Sequence, residues 1–382
     1  MPRDRSVSVL RTRRASILVV VLVSLVFATA ALVMFVRKAG TDLLVEMREA
    51  DAQRLRMEAY SALETTISVL DEFRRASDGL RSPRQGWQNP FDWCDYQPGE
   101  GRVVEVRFVD ESGRISLPQA DFQVLSELFQ QWEIPEPDAE RWADALLGWM
   151  KSDYTPKSIT GAQVEDYERA PLPFKPPGRP LRSWEELRSI DVIREAFFDE
   201  QGRPNVYAKR FRDAVSLLDY RQMNVNAAGA SALAAVAGYD ENQLKQLGDY
   251  LGGTGAYASG SRGYFESAEE VKSVLGEQAS TTGFGVRIQA LRVIVTVRQG
   301  RSSFVLNTVL APPGGATLVP PSEIPPPEGS VAAQASAQAA TAATNEEDSP
   351  PALNYPFTVL EITENDVVST DPASGPPDLT SL

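Results

Sequence analysis

The chain has 382 residues, 42% apolar and 24% charged, and its 38 basic and 52 acidic residues leave a net charge of −14. That charge excludes a nucleic-acid binder acting through a generally basic surface. There is no histidine and a single cysteine, Cys94, so imidazole bases, His-ligated zinc, cysteine metal clusters and an intrachain disulfide are all excluded.

From Ala15 to Val36 the chain reads ASILVVVLVSLVFATAALVMFV, with no charge. As a helix this stretch is roughly 33 Å long, enough for a bilayer core of about 30 Å. Arg3, Arg5, Arg11, Arg13 and Arg14 precede it against one acid, Asp4. Positive charge stays cytoplasmic, so residues 1–15 read as a cytoplasmic leader, 16–36 as a transmembrane helix and the rest as exported. The run is too long for a signal-peptide core and has no small-x-small cleavage site, which by itself describes a signal anchor. Helical signal then continues as a stem over 37–80. Thr41 to Ser77 holds no Gly or Pro, and Leu63, Ile67, Leu70 and Phe73 form an amphipathic stripe.

Beyond the stem, Arg81 to Glu100 is loop-like, with Trp87, Phe91 and Trp93 close together. VVEVRFV (Val103 to Val109) alternates as an antiparallel strand and DESG (Asp110 to Gly113) is its turn. ADFQVLSELFQQW and PDAERWADALLGWM carry helical spacing, the second opened by Pro137-Asp138. A Pro-rich passage from Lys151 to Pro180 leads to a helix at SWEELRSI, and a further helical block spans Asn226 to Tyr250. VRIQALRVIVTV (Val286 to Val297) and SFVLNTVL (Ser303 to Leu310) make a β-hairpin across Arg298-Gln299-Gly300.

The expected fold is therefore α+β: a long N-terminal helix packed on a small antiparallel sheet (81–116 and 284–310), with an α-helical domain (117–283) inserted between its strands. Residues 311–382 hold no Lys or Arg, ten acids and an Ala/Gln/Ser/Thr run from Val331 to Thr344, the composition of a disordered acidic tail. LNYPFTVLEI (Leu353 to Ile362) is its exception, a short strand that Pro356 confines to an edge or an end.

A membrane helix running unbroken into an amphipathic stem resembles type IV pilin-like subunits, and the order of elements resembles the minor pseudopilin K of type II secretion systems, the GspK family. FVDESGRISLPQ (Phe108 to Gln119), ADALLGWMKSD (Ala143 to Asp153), GAQVEDY (Gly161 to Tyr167), SWEELRSI (Ser183 to Ile190) and MNVNAAGASALAAVAG (Met223 to Gly238) each look like a family element. Departures are Ser116 and Pro118 for asparagines, Met150-Lys151 for Ile-Asp and Gln163 for Glu.

The resemblance implies a non-enzymatic subunit of the inner membrane and periplasm, without catalytic or cofactor-binding residues, small-molecule substrate or nucleic acid. It would cap the pseudopilus and help start its assembly with the I and J minor pseudopilins and the major pseudopilin. It further implies a prepilin peptidase cut between Ala15 and Ser16, followed by N-methylation. Val20 then stands fifth in the mature chain, where most pilins carry a glutamate that pairs with a neighbour's α-amino group; an apolar residue there suits a subunit with no neighbour ahead of it. Some family members hold calcium; here the candidate ligands would be Asp153, Glu165 and Asp166.

Other readings compete. A signal-anchored periplasmic scaffold or binding protein would share the anchor but keep its leader. NVNAAGASALAAVAG also resembles a DNA-binding helix-hairpin-helix, yet two bases and three acids lie between Arg221 and Gly255, so helix packing is the better reading, with Asn224 and Asn226 as turn and helix-cap residues. The Gly-rich stretch Gly252 to Gly263 lacks the Gly-Lys-Ser/Thr ending of a phosphate loop. The pairs Glu185-Glu186 and Glu269-Glu270 read as solvated helix faces, and Trp132, Trp142 and Trp149 as core.

Overall fold

The computed structural model describes residues 8–158, 175–319 and 355–365, with side chains from Leu18 onward. One helix, α1 (Ser8–Ala76), runs through the apolar segment and on into the stem. Its two halves meet different surroundings. From Leu18 to Met47 the apolar side chains are exposed and none of the most apolar window is buried by protein. From Leu55 onward the pattern becomes periodic, and Leu55, Ala59, Ala62, Leu63, Ile67 and Leu70 are buried on one face.

That face lies on a sheet. Strand β1 (Val103–Asp110) is followed at a distance by β6 (Leu291–Gln299), β7 (Ser302–Ala311) and β8 (Thr358–Glu364). The spatial order is β1-β6-β7-β8, antiparallel throughout. Alternation sends Val293, Val295, Val297, Phe304, Leu306 and Leu310 into one apolar cluster with the stem, joined by Trp87 and Phe357. Trp87 stands edge-on to Phe108 at 4.9 Å between centroids.

Between β1 and β6 the described residues carry a series of short helices: α2 (Phe122–Gln130), α3 (Glu136–Met150), α4 (Asp191–Phe197), α5 (Val206–Ala214), α6 (Ala230–Ala237), α7 (Glu241–Gly252) and α8 (Ala268–Leu275). Side chains of Asp121, Asn205, Asp240 and Ser267 cap the starts of α2, α5, α7 and α8 by accepting from first-turn amides. A second apolar cluster fills this region, centred on Phe129, whose ring meets Trp132, Trp142, Phe197 and Phe211. The tryptophans of this stretch are thus core residues.

Two small parallel pairings, invisible in the sequence pattern, stitch the region together: β2 (Ile115–Ser116) with β3 (Val215–Ser216), and β4 (Met223–Asn224) with β5 (Phe284–Gly285). Each strand holds two residues, too few for a period to show.

Other expectations shift. SWEELRSI makes a 3₁₀ turn (Trp184–Ser189), and the α-helix starts only at Asp191. The block from Asn226 divides at Gly238, which takes φ 69° between α6 and α7, a left-handed conformation that glycine adopts without strain. Helix α1 begins at Ser8, inside the stretch read as leader. The reading of 311–382 as a disordered tail is corrected at its start, while the strand expected near its end is present. Ala311 belongs to β7, Ala316 is buried and Thr317 pairs with Asp219; residues Thr358–Glu364 form an edge strand directly after Pro356 and Phe357. The Ala/Gln/Ser/Thr run and the last residues lie outside the described part.

Candidate functional site, a polar joint between sheet and helices

The motif residues picked out in the sequence meet where the sheet hands over to the helices. At the end of β1, Asp110 Oδ1 accepts from the Ser112 amide (2.9 Å) and from the Ser112 hydroxyl (2.5 Å). Its Oδ2 accepts from Asn224 Nδ2 at 2.6 Å, and the same Nδ2 donates to the Arg81 carbonyl at 2.9 Å. Ser112 Oγ in turn accepts from the Gln289 amide at 2.9 Å. One turn thereby holds β4, the approach to β6 and the loop after the stem.

Asn226 does the complementary work. Its Nδ2 donates to the carbonyls of Phe265 (3.1 Å) and Val286 (3.0 Å), while its Oδ1 accepts from the Phe265 amide (2.7 Å). Both ends of the carboxamide are spent on backbone, which neither Asp nor Leu could imitate. The cap expected of Asn226 is therefore corrected: Gly229 occupies the cap of α6, and Asn226 is a buried cross-tie. Asn224 does form a local turn, its Oδ1 accepting from the Asn226 amide at 3.2 Å.

Gly113 permits this close approach, since a Cβ there would lie 2.5 Å from the carbonyl oxygen of Ala227. Beside it the buried Glu111 takes Arg114 on one oxygen (2.5 Å) and Arg292 on the other (2.6 Å), and Arg292 reaches Glu361 of β8 at 3.3 Å. The Tyr220 hydroxyl closes the group by donating to the carbonyls of Glu111 and Arg114. Burial pushes the Asp110 carboxyl up to about 7, against the lowering effect of the Ser112 and Asn224 hydrogen bonds.

A further buried carboxylate, not singled out in the sequence, lies on α3. Asp144 on α3 accepts from the Tyr154 hydroxyl (2.6 Å), the Lys157 amide (3.0 Å), the Ser158 amide (2.7 Å) and the Ser158 hydroxyl (2.5 Å). Its signal was available: an acid among Ala143, Leu146 and Leu147 on the apolar face of a helix. It folds the passage 154–158 back over α3. Burial and this carboxylate together push the Tyr154 phenol up.

The residues singled out as sites fare differently. Ala15 and Ser16 sit within α1, with no break at that bond. Val20 is 61% exposed on the bare part of the helix. Asp153 is exposed just beyond α3, while Glu165 and Asp166 lie outside the described residues, so the calcium set is not assembled in view. Among the described residues no three Asp, Glu or Cys side chains converge as a metal site. In the helix-hairpin-helix resemblance, the Gln243 amide donates to Asp240 Oδ1 at 2.9 Å, so a carboxylate occupies the place a phosphate would need.

Comparison with known proteins follows the same residues. The family model for protein K of the type II secretion system matches residues 108–209, from the last residues of β1 into α5. Type II secretion system protein K of Pseudomonas aeruginosa is 25% identical over 260 residues, covering 63% of this chain and 70% of that protein. The chain is thus similar to protein K of type II secretion over these stretches. A solved structure, the GspK-GspI-GspJ complex of enterotoxigenic Escherichia coli, is similar over 71% of this chain and 96% of that one, at 14% identity and a TM-score of 0.47. Within the family stretch, the turn Asp110–Gly113 and Asp144 both act by holding backbone, and their hydrogen-bonding capacity is turned inward on the protein itself.

Proposed function

We propose that this chain is a non-enzymatic minor pseudopilin, anchored in the inner membrane with its N-terminus in the cytoplasm, which caps the periplasmic pseudopilus and helps start its assembly with I- and J-type subunits. The observation that carries the reading is α1, a single helix whose stretch from Leu18 to Val36 is apolar and bare of protein contact while the part from Leu55 onward is the spine of a folded head. A bare apolar helix needs lipid before assembly and other subunits' helices afterwards. The similarity to protein K of type II secretion supports the machinery in which such a subunit would work.

In this reading the leader is removed between Ala15 and Ser16, and Val20 leaves the mature N-terminal region without the carboxylate that would neutralise a neighbour's amine. The helical region adds bulk to the head, and a wide head suits the position above which no further subunit is added. The full-length chain in detergent, mixed with the I- and J-type subunits of the same system, should form a complex of one copy each by light-scattering chromatography. Elution of the chain alone at micromolar concentrations would contradict the proposal, and so would binding through the top of the helical region.

A further inference from the structure

Strand β8 is held unlike the other three strands. It arrives after a long excursion, and most of its residues are exposed, Val359 and Ile362 among them. What fastens it is a set of separate sockets. Phe357 enters the apolar cluster between stem and sheet. Glu364 accepts from Arg56 Nε and from the Tyr60 hydroxyl, each at 2.8 Å. Glu361 meets Arg292, the Asn365 amide donates to the Val305 carbonyl at 2.7 Å, and the Tyr355 hydroxyl donates to Glu64 at 3.1 Å. Leu360 packs against the small apolar cluster of Tyr220, Ala290 and Val309, and the backbone ladder to β7 adds a further hold, interrupted by a bulge between Val309 and Leu310 that leaves Leu360 without a partner in register.

We propose that the edge of β7 is a strand-binding site for an extended segment of pattern Phe-x-x-x-Glu-x-x-Glu, filled by residues 355–365 of this chain and exchangeable with the same segment of a second copy. Main-chain pairing supplies affinity and the spaced sockets supply specificity, the division of labour seen wherever a peptide extends a sheet. Exposed surface and ion pairs partly open to water make β8 the first strand to open, since local openings follow the poorest burial. Because the segment is covalently joined to the body, binding in cis profits from a high effective concentration. When seated, β8 covers the β7 edge from Leu306 to Ala311, whose unpaired backbone would otherwise invite pairing with other chains.

The test cuts the tether and leaves the strand in place. A protease site inserted within residues 331–344 of the full-length chain in detergent is cleaved to completion, and a fluorescent peptide of residues 353–366 is added in excess. The proposal expects the C-terminal fragment to co-elute with the body after cleavage and to be replaced by the peptide within hours. Peptides carrying Phe357→Ala, or Glu361→Gln with Glu364→Gln, should compete at least tenfold less well. A fragment that never exchanges, or a body that unfolds on cleavage, would make β8 a fixed part of the fold and overturn the idea. A fragment that falls away with no uptake of peptide would overturn it too, as would a scrambled peptide competing equally.

Discussion

The stem–sheet cluster draws its side chains from places far apart in the chain: Leu55 to Leu70, Val104 to Phe108, Val293 to Leu310, and Phe357. The helical cluster between residues 115 and 284 is assembled mainly from successive short helices around one phenylalanine. Each is an apolar core, and what joins them is a polar group (Asp110, Ser112, Asn224 and Asn226, with Glu111 between two arginines) beside a small apolar cluster of Tyr220, Ala290, Val309, Ala311 and Ala316. Hydrophobic burial is not directional, whereas a hydrogen-bonded joint fixes an angle. The difference teaches that the cores set how stable each half is and the joint sets how the halves sit on one another.

Substitutions can separate these roles, and peptide-resolved hydrogen exchange on the detergent-solubilised chain reads them region by region. Phe129→Ala should have the largest effect, about 3–5 kcal/mol lost from the helical cluster. Its signature is fast exchange across α2, α3 and α5 while β6 and β7 stay protected. Leu63→Ala should cost about 2–4 kcal/mol and show the reverse distribution, loosening α1 against the sheet and sparing the helices. If either variant melted both regions equally, the two cores would be one cooperative unit and the comparison would fail.

Asn226→Ala strands the Phe265 amide and the carbonyls of Phe265 and Val286, a cost of about 1–3 kcal/mol. Its specific consequence is uncoupling: one thermal transition in the parent chain should split into two. A single transition, merely lowered, would show that the joint adds stability without transmitting it. The gentlest effect is that of pH on Asp110. Its carboxyl is raised in the folded chain to about 7 from an ordinary value of 3.8, so the folded form holds the proton more tightly than the unfolded one. The group's contribution is therefore fullest below pH 3.8 and is lost as pH rises towards 7, with a slope of at most about 1.4 kcal/mol per pH unit. Asp110→Asn should flatten that part of the stability–pH curve; an unchanged curve would assign the pH dependence elsewhere.

How much of this was legible beforehand follows from where the signals live. The membrane run, the stem stripe Leu63–Phe73, β1 and the β6–β7 hairpin were readable because each spans several periods of its own pattern. The strand near Phe357 was readable as the apolar exception Leu353–Ile362 in an acidic tail, with Pro356 confining it to an edge, and the strand itself runs from Thr358 to Glu364. The pairs β2–β3 and β4–β5 were not, because two residues carry no period. Asn226 was misread as a cap since Asn before a helical run fits both a cap and a cross-tie, and only the fold brings Phe265 and Val286 within its reach. Asp144 was visible as an acid on an apolar face, but its partners Tyr154 to Ser158 follow in a loop whose path no local rule dictates.

The central claim, that the chain is a processed pilin-like subunit, is tested most directly by the N-terminal mass of the protein produced with and without an active prepilin peptidase. The account predicts a mature chain beginning at Ser16, N-methylated, only when the peptidase is present. A chain still beginning at Met1 or Pro2 beside an active peptidase would contradict it and leave a signal-anchored scaffold.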